Sequence, residues 1–312
     1  MSDTLTPAEV TSCKNTPASA LTADFVKLGA TKAAQPYYVS FFKAWMAGWM
    51  LVFGAMLVQI VQAGSGTLRT DYPALISLVS AFFFPIGLIM LVLTGQELVT
   101  AHLMFMPMAL VRRRIKIWEL PLNWLIVFFG NLAGVLCYVA FMAHFSDLYG
   151  AEPLIKYSQG VSVSKTTETW GACVLRGIGC NFLVCTAVWL GAGARETSSK
   201  IMALHLPAFL FVFLGFEHVV VNMYYIPIGM VNGSGVTAAQ YIGKSMIPSL
   251  IGNIIGGGLL GLPMLMFYDA PELPLFNKLP GRRAPTASVV ERTSGEITPV
   301  RTSSDEKLPK SP

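Results

Sequence analysis

An apolar run from Ile201 to Val231 carries a carboxylate and an imidazole, Glu217 and His218, near its centre, directly after Gly215 and Phe216. Ionisable groups at membrane depth are costly, so they face a cavity or a conduction path rather than lipid. A glycine just before them marks where a membrane helix can break. The run therefore points to an integral membrane fold that interrupts a helix inside the bilayer, with a transport site for a small anion centred on His218. The expected chemistry is that the anion is drawn in, takes or shares a proton at His218, and passes the apolar barrier as a nearly neutral species. A neutral, hydrogen-bonded packing histidine is the plainer alternative.

The arrangement occurs twice. Gly95, Glu97, Val99, His102, Leu103, Phe105 and Pro107 repeat the order of Gly215, Glu217, Val219, Asn222, Met223, Tyr225 and Pro227. Further on, Phe129-Gly130-Asn131-x-x-Gly134 is echoed by Ile251-Gly252-Asn253-x-x-Gly256. So many matches in one order imply an internal duplication.

Six segments are apolar and long enough to span a bilayer, at about 38–63, 73–110, 119–145, 168–193, 199–231 and 241–268. The second and fifth exceed one span and hold the Gly-x-Glu element, so both are predicted to be broken helices lining a cavity. The third and sixth hold the Gly-Asn-x-x-Gly pattern, whose small residues allow close helix contact. The predicted fold is all-α and integral to the membrane, with six spans as a 3+3 inverted repeat (about 36–145 and 165–268) inside a transport domain at 36–268. A short amphipathic helix is expected within the N-terminal segment 1–35, with Phe25, Val26, Leu28 and Ala33 on one side and Lys27 and Lys32 on the other, lying along the membrane surface. The tail 269–312 reads as disordered.

Composition agrees: 54% of the 312 residues are hydrophobic, only 12% are charged, and the mean hydropathy is +0.57. Seventeen of the 22 lysines and arginines fall on one side of such a topology, which puts both termini in the cytoplasm. The chain opens without a cleavable signal pattern. Its five cysteines read as buried free thiols.

In an inverted pair of broken helices, two helix N-termini approach the centre from opposite sides and offer amide N–H groups and positive dipole ends to an anion. His218 adds a titratable donor there. Glu97 and Glu217 are expected to accept backbone N–H groups at the breaks, a structural role favoured over proton carriage. Asn131, Asn181, Asn222 and Asn253 are expected to link helices through their amides. Phe84, Leu88, Leu98 and Phe211 are candidates for apolar constrictions, although aromatics in a membrane helix are often simply packing. Lys165, in a loop before the fourth span, is a candidate for concentrating anions at the entrance, and Arg176 needs a partner or a water-filled mouth. Asn232-Gly233-Ser234 is a sequon set close to the membrane. His102, His144 and His205 read as packing or interfacial groups. The sequence holds no metal-ligand spacing, phosphate-cradling loop or nucleophile elbow, and it calls for no cofactor and no nucleic-acid partner. An intramembrane enzyme using Glu217 and His218 is the reading from a different class; it lacks an evident nucleophile.

These stretches resemble the formate/nitrite transporter family. The resemblance rests on Thr94-Gly95-Gln96-Glu97-Leu98-Val99-Thr100, Phe129 to Gly134, Arg176-Gly177-Ile178-Gly179-Cys180-Asn181, Gly215 to His218, Asn222-Met223 and Ile251 to Gly258. It implies an aquaporin-like protomer in a homopentamer, each subunit with its own pore, carrying small monovalent weak-acid anions, often with a proton. By motif, His218 corresponds to the central histidine, Thr100 to the hydroxyl facing it, Phe84, Leu88, Leu98 and Phe211 to the constrictions, and Lys165 to a vestibule lysine. The Ser/Thr-rich tail resembles that of fungal nitrite transporters, which implies nitrite transport at the plasma membrane in nitrogen assimilation, with formate or lactate transport through the same pore as the alternative. Gln96-Glu97 departs from the small residue and aspartate common in the family at this break, and Val99 from its aromatic.

Overall fold

The computed structural model describes residues 15–269; the expected tail, Asp269 apart, lies outside the described residues, as do residues 1–14. The described chain is helical throughout, with no strand. Helix α1 spans Ala18–Ala34 and α2 Tyr37–Gly64, and Pro36 between them keeps the chain extended. Then come α3 (Pro73–Leu93), α4 (Val99–Val111), α5 (Glu119–His144), α6 (Glu152–Thr167), α7 (Trp170–Gly193), α8 (Thr197–Phe213), α9 (Val219–Val231) and α10 (Ala238–Tyr268). Five of these, α2, α3, α5, α7 and α10, are long and apolar enough to cross a membrane. Large apolar side chains such as Phe42, Phe82, Phe141, Leu175 and Phe267 lie exposed on their outer faces, as a lipid-facing surface requires and a water-facing one does not tolerate.

The two predicted breaks are present. Gly95 and Gly215 have φ of +71° and +69°, the left-handed region where a Cβ is penalised. Around each, the last turn closes in the same way. Gly95 N–H donates to the Val92 carbonyl and Gln96 N–H to Leu91; Gly215 and Phe216 do the same to Val212 and Phe211. This double bond stops a helix while satisfying its carbonyls. The chain then runs extended through Leu98 and His218 and starts α4 and α9.

The Gly-Asn-x-x-Gly stretches sit where helices touch. A Cβ on Gly134 would overlap the Trp45 carbonyl oxygen of α2, and one on Gly256 the Ile178 carbonyl oxygen of α7. Two expectations are corrected here. Lys165, expected in a loop before the fourth span, lies in helix α6, which packs on α9 as α1 packs on α4. And the inward side of α1 is not the one expected: Leu21, Phe25, Val26 and Gly29 are buried, Phe25 stacks on Trp189 at 5.0 Å, and Lys32 turns to Glu97. Lys32 therefore faces the protein, because a buried carboxylate waits there.

Candidate functional site

Each break is pinned by one asparagine. Asn131 Oδ1 accepts the Val99 N–H at 2.9 Å while its amide donates to the carbonyls of Ala44 and Glu97. Asn253 repeats this, accepting from Val219 at 3.0 Å and donating to Gly177 and Glu217. A buried amide with three good partners fixes where the helix restarts. This corrects the role expected of the glutamates. Glu97 and Glu217 do not cap the breaks with their carboxylates; those turn to side chains instead. Glu97 Oε1 accepts from Lys32 at 2.8 Å and Gln35 at 2.7 Å, and Glu217 accepts from Lys165 at 2.6 Å and Asn222 at 2.7 Å. The helix N-termini are likewise less bare than expected, since Asn131, Asn253 and the His218 ring take N–H groups from them.

His218 stands at the start of α9 and is 2% exposed. Its Nδ1 accepts the Val221 N–H at 3.2 Å. The network therefore assigns the proton of the neutral ring to Nε2, which faces Thr100 Oγ1 at 3.2 Å. The Phe211 ring stacks on the imidazole at 5.7 Å, and Phe84 meets Phe211 edge-on at 5.4 Å.

Two cavities lie near the breaks, one of them reaching His218. One, of about 530 Å³, is lined by Arg69, Lys156, Tyr157, Lys165, Phe84, Phe211, Asn222 and His218. The other, of about 190 Å³, is lined by Lys32, Glu97, Gly95, Leu88, Leu98 and His102. Phe84 and Phe211 border the first, Leu88 and Leu98 the second, and all four are buried. Each cavity has a lysine tied to a buried glutamate. In the larger one Arg69 lies over the Tyr157 ring at 4.9 Å. Burial raises the Tyr157 hydroxyl above its usual range, so it contributes a dipole and no charge. Thr100 borders the centre through His218, and its carbonyl accepts from Asn181.

Elsewhere, Arg176 pairs with Glu168 at 2.7 Å at the head of α7. The Asn232 amide donates to Ser158 at 2.7 Å. Cys137, Cys173, Cys180 and Cys185 are free thiols, and the described residues hold no cluster fit for a metal. The sequence did not mark Lys32, Gln35 or Asn123 as partners of the breaks, and it read His102 as a packing or interfacial group. The signal for the last two lay in the duplication itself, since His102 and Asn123 occupy the positions of Asn222 and Ser245.

Comparison with known proteins decides the class. The profile described as Formate/nitrite transporter matches residues 19–268. The chain belongs to the formate/nitrite transporter family. This formate/nitrite transporter is 40% identical over 208 residues to the uncharacterized transporter YrhG of Bacillus subtilis (strain 168), covering 66% of this chain and 77% of that one. It is 33% identical over 264 residues to the formate channel FocA of Escherichia coli (strain K12), covering 77% and 90%. A solved pentameric formate channel with formate bound superposes with a TM-score of 0.65 at 29% identity, over 74% of this chain and 97% of that one. The protein is thus a multi-pass membrane transporter and not an enzyme, which sets aside hydrolytic or transfer chemistry at Glu217 and His218.

Proposed function

We propose that this transporter moves nitrite, with a proton, through a pore in each protomer whose centre is His218 and Thr100. The observation that carries the reading is the buried Nε2–Oγ1 pair, whose His218 lines the larger cavity. An N–H that can be shared with an anion, in a place too apolar for a bare charge, suits a weak acid that crosses nearly neutral. Phe84 and Phe211 on one side, with Leu88 and Leu98 on the other, act as constrictions that exclude hydrated ions. Lys165, Lys156 and Arg69 draw anions into the larger mouth. Formate is the second reading, favoured by the names of FocA and of the formate-bound structure; lactate belongs to the same chemical class. The breaks at Gly95 and Gly215 and the matched asparagines support six spans in a 3+3 inverted, aquaporin-like repeat, with α3–α4 and α8–α9 each serving as one interrupted span. A homopentamer in the plasma membrane with both termini cytoplasmic completes the proposal.

The test is uptake of labelled nitrite and formate into vesicles, with and without the protein, across a pH series. Uptake is expected to rise as external pH falls, and His218→Ala is expected to abolish it in protein that still assembles. Normal pH-dependent uptake by assembled His218→Ala protein would remove the imidazole from the mechanism.

A further inference from the structure

Around the two glutamates the breaks differ at the residue five positions on, Asn222 in the second and His102 in the first, and in the first that residue is titratable. In the second, Asn222 Nδ2 donates to Glu217 Oε2 at 2.7 Å and to Ser245 Oγ at 3.0 Å. Both oxygens of Glu217 thus meet donors, one from Lys165 and one from a neutral amide. In the first, the corresponding residue is His102. Its Nδ1 is 2.7 Å from Asn123, and with the amide oxygen assigned to face the ring Nδ1 carries a proton and donates it. Its Nε2 then points at Glu97 Oε2 across 3.8 Å. That oxygen is buried and has no hydrogen-bond partner, although Oε1 of the same carboxylate has two.

With His102 neutral and Glu97 ionised, two lone-pair-bearing atoms would face each other inside the protein. A buried acceptor left unpaired costs about 1–3 kcal/mol. A bridging water needs roughly 4.5 Å between the groups it joins, more than is available. A single proton resolves the conflict, on Nε2 as an imidazolium donating to the carboxylate, or on Glu97 as a carboxylic acid donating to Nε2.

We propose that Glu97 and His102 together form a proton-binding site, separate from His218, at the Lys32 mouth. The charged groups facing the pair are Lys32 from α1 and Glu119 from the first turn of α5, which shares a small cleft with Lys32 and Asn123. The neutral faces are Gln35, Asn123 and the Phe105 ring, 4.6 Å from the imidazole. Lys32 and Glu97 cancel one another, so the bound proton makes the charge of this mouth more positive by one unit. Proton binding there raises the local attraction for an anion. Glu217 at the Lys165 mouth has no such histidine partner, because Asn222 supplies the second hydrogen bond. The two ends of the pathway therefore answer differently to pH.

The site is read directly by solid-state ¹⁵N NMR of the full chain in lipid vesicles, histidine-labelled and without any transported anion, so the result stands apart from the substrate assignment. The His102 resonances are those lost in His102→Asn, or in His102→Gln if the first variant does not assemble. ¹³C-glutamate labelling reports the Glu97 carboxyl in the same samples. The expected result is a doubly protonated His102 ring, or a protonated Glu97 beside a neutral ring, within about pH 5 to 8. In Glu97→Gln, whose amide can donate to Nε2, the proton affinity of His102 is expected to fall at least about tenfold, one pH unit. A neutral His102 facing an ionised Glu97 across that range, or a titration identical in Glu97→Gln, overturns the proposal. In the transport assay His102→Asn, which copies Asn222, is expected to remove the dependence of KM on pH at the Lys32 face; an unaltered dependence counts against the site.

Discussion

At the scale of single residues, the lysine–glutamate pairs separate what a sequence discloses from what it conceals. Glu97 and Glu217 were visible as acids in apolar runs, and physics demands that such acids have partners. Who the partners are was not visible. Lys165 lies 52 residues before Glu217, and Lys32 lies 65 before Glu97, on helices with little apolar asymmetry to fix which face turns inward. Lys165 accordingly does more than collect anions. Its ammonium is bonded to a carboxylate that is 2% exposed. Removing one partner of a buried pair costs about 3–5 kcal/mol, and less here because the lysine side chain keeps 19% of its surface exposed. Lys165→Ala is therefore expected to lower the melting temperature of the solubilised protein as well as uptake. Adding Glu217→Gln, which removes the orphaned charge, is expected to restore much of the stability. A double-mutant cycle measures this directly: residues in contact couple by about 0.5–3 kcal/mol, and strictly additive effects would show that the pair is not a unit.

At the scale of elements, much of the fold was legible because a bilayer leaves few choices. Backbone groups in hydrocarbon must bond internally, so an apolar run of sufficient length is a helix, and the predicted 119–145 and 168–193 fall within two residues of Glu119–His144 and Trp170–Gly193. The breaks were legible from glycine beside an acid. Helix α6 was not, since its polar, serine-rich sequence has no apolar period. It is held by contacts with α9, such as Ser162 Oγ donating to the Ile226 carbonyl at 3.1 Å. Nor does the sequence distinguish the three consecutive glycines of α10, Gly256, Gly257 and Gly258. The structure separates them: a Cβ on Gly256 collides with backbone of α7, while one on Gly258 meets open space within the chain. Gly256→Ala is expected to force α7 and α10 apart and to cut assembled protein severely. Gly258→Ala is expected to be tolerated, or to stabilise by up to about 1 kcal/mol through helix propensity. Size-exclusion profiles and melting curves of the two variants check this, and equal damage from both would mean that the α7–α10 contact is not the constraint.

At the scale of the whole molecule, the proposed pathway is self-contained. Both cavities, the four residues proposed as constrictions, His218 and Thr100 lie within one protomer. Assembly then has a different task, which is to cover apolar outer surface. If five protomers associate and each conducts by itself, activity must scale with the number of intact centres and not with the number of intact assemblies. Co-assembling wild-type chains with His218→Ala chains in graded ratio turns this into a measurement. Independent pores predict uptake proportional to the wild-type fraction, with the dependence on external pH unchanged at every ratio. A shared pathway, or a gate requiring concerted protomers, predicts that a minority of mutant chains silences most assemblies and that uptake falls as a steep power of the wild-type fraction. Tagged chains purified in pairs, with their ratio counted by native mass spectrometry, distinguish the straight line from the steep curve, and the curve would contradict a transport route enclosed within one subunit.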